Sequence, residues 1–236
     1  MKHVFLTLLL SVSSALVFAD EKGEIIFEDD FERTESQEEK DEPGNGWTTN
    51  SKTRAKGNKQ VDLKEGAMYI YIHEEADHGV SVKQEVSFTD GSVKMRFMLE
   101  DKKDTLGLNF ADSKYKAVHA GHLFVVKISP KQVQLQDLKT GNMDLKVREA
   151  KLAGTTTEGQ KEMLKTKVKK FPADLEVGSW HDLLVQVEGD KLIVEINGEK
   201  AGEFASEGIA HPTKRALRLA VNRNAVVDDI QIRRMK

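Results

Sequence analysis

The chain has 236 residues, contains no cysteine and carries a formal net charge of −3 at pH 7. The absence of cysteine excludes disulfides, thiolate metal sites, cysteine nucleophiles and a lipid-modified cysteine. The mildly acidic balance disfavours nucleic-acid binding, and the length fits one domain.

Residues 1–19 have the pattern of a secretory signal peptide. A short basic start, Met1-Lys2-His3, precedes an apolar run, and Val17-Phe18-Ala19 supplies the small residues that signal peptidase prefers. The run is too short to span a bilayer comfortably, and no later stretch approaches the roughly 20 apolar residues required. The sequence predicts cleavage after Ala19, a secreted or periplasmic protein without a membrane span, and a single domain over residues 20–236.

Residues 20–42 are strongly acidic, with twelve Asp or Glu against three Lys or Arg. Within them, Glu24-Ile-Ile-Phe27 is predicted as a short strand. Residues 34–46 are predicted as an acidic loop that ends in Pro43-Gly44-Asn45-Gly46, which is typical turn chemistry. Two interpretations stay open, namely a solvated loop and a segment that binds a partner.

Most of the remaining chain alternates apolar and polar residues with a period of two, which is typical of half-buried antiparallel strands. Asn197-Gly198 predicts a tight hairpin, because a type I′ turn needs positive φ at both central residues. The predicted strands lie within 68–73, 80–83, 93–99, 106–110, 123–128, 133–138, 183–187, 192–196, 200–204, 216–221 and 226–232.

Residues 156–170 break this pattern. Thr157 is a candidate N-cap with Gln160 three residues later, and Met163, Leu164 and Val168 recur at helical spacing between lysines. We expect one short, basic helix inserted between strands. About a dozen strands with a single helix predict an all-β, two-sheet antiparallel sandwich.

Short motifs follow one another in a recognisable order at the two ends of the chain. They are Ile26-Phe-Glu-Asp-Asp-Phe31, Gly46-Trp47 and Gly66-Ala-Met-Tyr-Ile70, and later Gly178-Ser-Trp-His-Asp-Leu-Leu-Val185, residues 192–198 and Val227-Asp-Asp-Ile-Gln-Ile232. This order resembles concanavalin A-like jelly-roll domains, including laminin G-like lectins and laminarinase-type hydrolases. It is most similar to the exported 3-keto-disaccharide hydrolase-like family. The resemblance covers residues 24–110 and 178–234.

The resemblance implies that the first and last strands are neighbours, with Asp29 and Asp30 near Asp228 and Asp229. It also implies a structural calcium ion, held by the Asp228 side chain and by carbonyl groups near Glu28 or Asp29 and near Gly66. From its phase with Val226, Ile230 and Ile232, Asp228 is predicted to point inward, where a carboxylate needs hydrogen bonds or a metal. The alternative is that Asp228 accepts hydrogen bonds from loop amides without any metal. No other cofactor is predicted.

Laminarinase-type hydrolases carry an E-x-D-x-x-E motif on the concave sheet, and this sequence has none. The comparable strand begins Gly121-His122 and reaches Lys127, so a two-carboxylate glycosidase is disfavoured and the catalytic residues stay unassigned. For the pair His119 and His122 we consider a metal site, an acid/base or ligand-contact role, and an ordinary loop-to-strand pair. The outward polar residues of the central strands are our candidates for ligand binding: Arg96, Asn109, His122 and Lys127.

Three functional hypotheses follow. The first is a non-catalytic glycan-binding or structural module, based on the missing carboxylate pair. The second, based on the resemblance, is a glycoside hydrolase-like enzyme or lyase acting on a modified (3-keto) disaccharide, with His122, Arg96 and Lys127 as participants. The third is a protein-interaction domain that uses the acidic residues 28–42. Clustering of the four candidate residues in one pocket favours the second hypothesis, and a sheet covered by the inserted helix favours the third.

Overall fold

The computed structural model describes residues 23–235, so the predicted signal peptide lies outside the described residues. Fifteen strands, three α-helices and a 3₁₀ helix (His119–Gly121) are present in these residues. The strands are β1 (Glu24–Asp29), β2 (Thr48–Thr49), β3 (Val61–Lys64), β4 (Ala67–Tyr71), β5 (Val80–Phe88), β6 (Gly91–Met98), β7 (Leu106–Ala111), β8 (His122–Ser129), β9 (Gln132–Asp137), β10 (Val168–Pro172), β11 (Trp180–Glu188), β12 (Lys191–Ile196), β13 (Glu199–Ala205), β14 (Lys214–Val221) and β15 (Asn224–Arg234).

The strands form two antiparallel sheets. The eight-stranded sheet has the order β13-β12-β11-β6-β15-β4-β3, with β1 also paired to β15. The seven-stranded sheet has the order β10-β9-β8-β7-β14-β5-β2. The predicted two-sheet β-sandwich is confirmed.

One hydrophobic core lies between the two sheets, and the period-two pattern explains it. On β6, Met95 and Phe97 are buried in the core, whereas Arg96 between them lies on the outer face. On β7, Leu108 and Phe110 point inward in the same way, and the Phe110 ring stacks on Phe124 of β8 with centroids 4.6 Å apart. The outer faces therefore carry the polar residues of each strand.

The helices are α1 (Ser51–Arg54), α2 (Leu145–Leu152) and α3 (Glu158–Thr166). In α3, Thr157 and Gln160 form a capping box. The last residues of the range expected to be helical belong to β10 instead, which α3 contacts at the edge of the seven-stranded sheet. Of the three α-helices only α3 was predicted; α1 and α2 were not, and the only buried residue of α2 is Val147.

The last strand brings the two ends of the described chain together. Asp29 of β1 is in register with Ile230 of β15, so the neighbouring first and last strands are confirmed. A β-bulge lies between Asp228 and Gln231, and Asp229 has a φ of 49°. No helix within residues 23–235 is long and apolar enough to cross a membrane.

The bulge corrects the predicted orientation of Asp228. Val227 and Ile230 are the core residues on either side of it, and Asp228 is in register with Arg96 on the outer face. The inward phase predicted for Asp228 was wrong because one extra residue in a bulged strand reverses the alternation beyond it.

Candidate functional site

A polar cluster lies on the outer face of the seven-stranded sheet, where β7, β8 and β14 run side by side. Asn109 of β7 is in register with Arg218 of β14 and with Val125 of β8. A bulge between β7 and β8 shifts the start of β8, so that His122 also reaches Asn109. Three strands distant in sequence therefore place Asn109, His122 and Arg218 in contact.

The His122 imidazole is held through one ring nitrogen. Its Nδ1 lies 2.8 Å from Asn109 Oδ1. Two groups contact this nitrogen: the Asn109 amide oxygen, which accepts from Nδ1–H, and Arg218 Nη1 at 3.2 Å, which donates to an unprotonated Nδ1. In the tautomer with its proton on Nδ1, the lone pair is on Nε2, which has no hydrogen-bond partner among the described residues. In that tautomer His122 presents a free basic nitrogen.

The surroundings of His122 keep it neutral. Burial lowers the pKa of the imidazole to about 4, and the positive charge of Arg218 lowers it further in the same direction. His119, His78 and Arg148 contribute to the same effect. A group with this pKa is uncharged throughout the physiological range, so Nε2 is available as a base.

Arg218 is the cationic member of the cluster. Its Nη2 donates a hydrogen bond to Ala120 O (2.9 Å), and its Nη1 lies 3.2 Å from His122 Nδ1. Burial lowers the pKa of the guanidinium, and the charge of Glu85 acts in the opposite direction. Within the described part of the chain no carboxylate lies at salt-bridge distance from Arg218. A half-buried guanidinium without a salt bridge is available to negative charge on a ligand.

The turn before β8 is built to hold this arrangement. Ala120 has a φ of 50°, a conformation that costs a residue with a side chain roughly 1 kcal/mol or more, and its carbonyl faces Arg218. Gly121 follows with a φ of 73°. A Cβ on Gly121 would lie 2.3 Å from Asp112 O, so only glycine fits there.

Behind this turn, Asp112 forms a buried polar group with His211 and Arg215. Its backbone N–H donates to Gly121 O (2.8 Å). Its carboxylate lies 3.0 Å from His211 Nε2 and 3.1 Å from Arg215 Nε. These contacts fix the end of β7, and through it they fix the position of the turn that carries His122.

The four predicted ligand-binding residues do not form one group. Asn109 and His122 are in contact, and Lys127 lies further along β8 on the same outer face, in register with Gly107. Arg96 lies on the outer face of the other sheet. The clustering of all four residues in one pocket, which would have favoured the enzyme hypothesis, is not found, because β6 belongs to the eight-stranded sheet.

Arg96 borders a separate cavity of about 750 Å³ on the eight-stranded sheet. Its guanidinium stacks over Trp180 at 4.7 Å and lies 3.3 Å from Asp228 and 3.5 Å from Asp229. Trp180 is therefore on the outer face rather than in the core. Because its arginine is already paired with two carboxylates, this cavity is a weaker candidate for chemistry than the cluster around Arg218.

The groups named for calcium are near this cavity. Both carboxylate oxygens of Asp29 are taken by Arg33, and one also accepts from Trp47 Nε1 (2.8 Å). Asp228 accepts from the Asp229 N–H (2.7 Å), and burial raises its pKa. At Gly66, a Cβ would lie against the Glu32 carboxylate. No set of three His, Asp or Glu side chains in residues 23–235 is arranged to hold a metal ion, so calcium here would depend on main-chain carbonyls.

Arg218 is the residue that sequence reasoning missed. The sequence does indicate that Arg218 points outward, because it is a single arginine between Leu217 and Leu219 on a strand. What the sequence lacks is the register that brings β14 beside β7 and so places Arg218 against Asn109.

The fold is that of concanavalin A-like jelly-roll proteins, which include carbohydrate-binding modules, galectin-like proteins and glucanases. The model of the 3-keto-alpha-glucoside-1,2-lyase-like domain matches residues 38–233. The chain belongs to this family, as the sequence motifs predicted. A search of curated protein sequences finds no match.

Similar solved structures share the fold. The carbohydrate-binding module CBM66 from Bacillus subtilis is 11% identical, with 80% of this chain and 95% of that chain covered at a TM-score of 0.52. A laminarinase from Flavobacterium sp. UMI-01 is 9% identical, with coverage of 89% and 100% at 0.59. A protein of unknown function with a galectin-like fold from Bacillus subtilis is 12% identical, with coverage of 91% and 97% at 0.59. At these identities the likeness shows the fold alone.

Proposed function

We propose that the protein cleaves 3-keto glycosides by β-elimination, at the outer face of the seven-stranded sheet. The family description names a lyase acting on 3-keto-α-glucosides. The observation that carries the proposal is the neutral His122, with a free Nε2, beside the unpaired guanidinium of Arg218.

The proposed reaction uses the ketone at C3 of the sugar. The ketone acidifies the hydrogen on C2, and His122 Nε2 removes that proton to leave an enolate. The electron pair then forms the C1–C2 double bond as the glycosidic C1–O bond breaks. Water protonates the leaving oxygen, and the imidazolium returns its proton to solvent. The products are a 2-hydroxy-3-keto glycal and the free alcohol.

Arg218 has a defined role in this scheme. The enolate carries negative charge on the C3 oxygen, and a guanidinium that is half-buried and held by Ala120 O can stabilise that charge. In this scheme Asn109 accepts from Nδ1–H of His122, which selects the tautomer with its lone pair on Nε2. The site therefore supplies a base and an electrostatic partner from its own side chains.

A non-catalytic glycan-binding or structural module is the second candidate. It is favoured by the chemistry of the site, because the polar cluster contains no pair of carboxylates of the kind that hydrolyse glycosides. In this case Arg218, Asn109 and His122 would hydrogen-bond sugar hydroxyls and ketones without bond cleavage. The protein-interaction hypothesis is less favoured, because α3 contacts the edge strand β10 rather than β7, β8 or β14.

We also propose that the protein is secreted or periplasmic. The support is the signal-peptide pattern of residues 1–19, with its basic start and its small residues at Val17 and Ala19.

The test is turnover of methyl 3-keto-α-D-glucoside followed by NMR. We expect the unsaturated glycal and methanol, with a slower rate when C2 carries deuterium. His122→Gln should lower kcat by about 10²- to 10⁴-fold and Arg218→Gln by about 10²- to 10³-fold. His73→Gln, which follows β4 on the other sheet, is the matched control and should retain activity.

Other outcomes contradict the proposal. Release of 3-keto-glucose without the glycal would indicate hydrolysis. Saturable binding of the substrate with no product, lost in Arg218→Gln, would assign the protein to the binding-module candidate.

A further inference from the structure

In the proposed reaction no protein group protonates the leaving oxygen. That oxygen departs as an alkoxide unless it receives a proton while the C1–O bond breaks, and a positioned acid accelerates such a step by about 10²- to 10⁴-fold. The cluster itself cannot supply the proton. The Asn109 amide does not ionise, Arg218 stays protonated, and His122 must be unprotonated to act as the base.

A second imidazole lies beside the cluster, on the turn that leads to His122. The rings of His119 and His122 have centroids 6.4 Å apart, with an angle of 35° between their planes. His119 is exposed, and neither of its ring nitrogens has a hydrogen-bond partner among the described residues. A ligand that contacts His122 can therefore reach an imidazole that has no other polar contact.

The main chain holds His119 in this position. Its N–H donates to Met143 O (2.8 Å), and Val118 before it forms a β-bridge with the residue that caps α2. Ala120 after it accepts the hydrogen bond from Arg218. The turn over residues 119–122 thus positions the base, the guanidinium and a second imidazole together.

The order of atoms in the substrate fits the order of these side chains. C2 lies between C1, which carries the leaving oxygen, and C3, which carries the ketone. With C2 at His122 and the C3 oxygen at Arg218, the leaving oxygen lies on the side of His122 away from Arg218. In the sheet, β14 and β9 are on opposite sides of β8. Met143, which binds the His119 backbone, is tied to the end of β9 by its N–H bond to Leu138 O (2.9 Å). The His119 backbone is therefore bound on the leaving-group side.

We propose that His119 is the general acid of the lyase reaction. The inference rests on the proposed function and replaces water as the proton donor. As the C1–O bond breaks, the His119 imidazolium transfers a proton to the leaving oxygen and becomes neutral, while His122 holds the proton taken from C2. Transfer of one proton from His122 to His119 through solvent restores both residues. The overall reaction thus moves one proton from C2 to the alcohol.

Two substrates with different leaving groups test this. Methyl 3-keto-α-D-glucoside releases an alkoxide that needs a proton, whereas p-nitrophenyl 3-keto-α-D-glucoside releases a phenolate that does not. His119→Gln should lower kcat/KM for the methyl glycoside by about 10²-fold or more, and should change it for the p-nitrophenyl glycoside by less than about threefold. His122→Gln should slow both reactions strongly, and the control His73→Gln should slow neither.

Hydrogen exchange at C2 separates the acid from the base. In D₂O, His119→Gln should still exchange the C2 hydrogen of the methyl glycoside faster than solvent alone, because deprotonation by His122 is intact. Substrate recovered before elimination should then contain deuterium at C2 by NMR, which also shows that the variant is folded. His122→Gln should accelerate neither exchange nor elimination.

A similar loss of activity on both substrates in His119→Gln would overturn the role of His119 as an acid. Unchanged turnover of the methyl glycoside in this variant would refute the inference and leave the lyase reaction standing. If the wild type forms no glycal from either substrate, the proposed function fails, and this inference fails with it.

Discussion

His122 makes the stability of the protein depend on pH. Its pKa is about 4 in the folded chain, against an ordinary value near 6.5. Between these two pH values the unfolded chain binds a proton that the folded chain does not. Folding stability should therefore fall as the pH drops from about 6.5 to about 4.

The prediction is that His122→Gln flattens this dependence. Chemical denaturation at several pH values between 7 and 4 should show a smaller loss of unfolding free energy in the variant than in the wild type. His73→Gln is the control. An NMR titration that placed the His122 pKa near 6.5 would contradict both the buried environment and the role as a permanently neutral base.

At the scale of residues, the sequence predicted part of the candidate site. Asn109, His122 and Lys127 were predicted to point outward because they alternate with apolar residues, and all three lie on the outer face of β7 and β8. Asp228 was assigned to the wrong face because a bulge is not visible as a change of residue type. Arg218 was missed because an isolated outward arginine is common on strands and becomes informative only beside His122.

At the scale of elements, Asp137 joins the two sheets. It is the last residue of β9, it is fully buried, and it accepts from Ser206 Oγ (2.6 Å) and the Gly208 N–H (3.0 Å) beyond β13. It also accepts from the N–H and hydroxyl of Thr140, at 3.0 and 2.5 Å. One carboxylate therefore fixes loops that follow strands of opposite sheets.

We expect Asp137→Ala to lower the free energy of unfolding by about 3 kcal/mol, because it leaves several buried donors unpaired. Asp174→Ala is the matched control. Its carboxylate is 86% exposed and, among the described residues, pairs only with Lys131, so we expect a change within about 0.5 kcal/mol. Equal effects of the two substitutions in denaturant titrations would show that Asp137 is not a structural clamp.

The elements that the sequence predicted correctly are those marked by a few neighbouring residues, such as a turn pair or a helix cap. The β12–β13 hairpin follows from Asn197-Gly198, and both residues have positive φ as a type I′ turn requires. The N-terminus of α3 follows from Thr157 and Gln160. By contrast, α2 has a weak apolar face with one buried residue, so its sequence contains little helical periodicity.

At the scale of the whole molecule, calcium remains a prediction from the resemblance. An ion bound only by the folded state raises the melting temperature by mass action. If calcium binds at Asp228, a chelator should lower the melting temperature of the wild type and have no effect on Asp228→Asn. If the melting temperature of the wild type does not respond to chelator, the Asp228 carboxylate binds only Arg96 and the Asp229 N–H, and no calcium.

The architecture was predictable and the assembly of the site was not, for a physical reason. Alternation along each strand reports burial, which is local, and it is sufficient to define a two-sheet sandwich. Which strands are neighbours depends on pairings between distant segments, such as β14 with β7 and β6 with β15. The separation of Arg96 from Asn109 and His122 follows from that order and from nothing local to β6.

The position of β15 has a consequence for how the protein is made. It is the last strand within residues 23–235, yet it lies inside the eight-stranded sheet, between β6 on one side and β4 and β1 on the other. A growing chain thus has no partner for the edges of β4 and β6 until residues 224–234 have been synthesised. Pairings this distant in sequence fold slowly, so completion of the sheet waits for residues 224–234. Until then the edges of β4 and β6 stay open, and an open chain is the form that can pass through a translocation channel, as the proposed export requires.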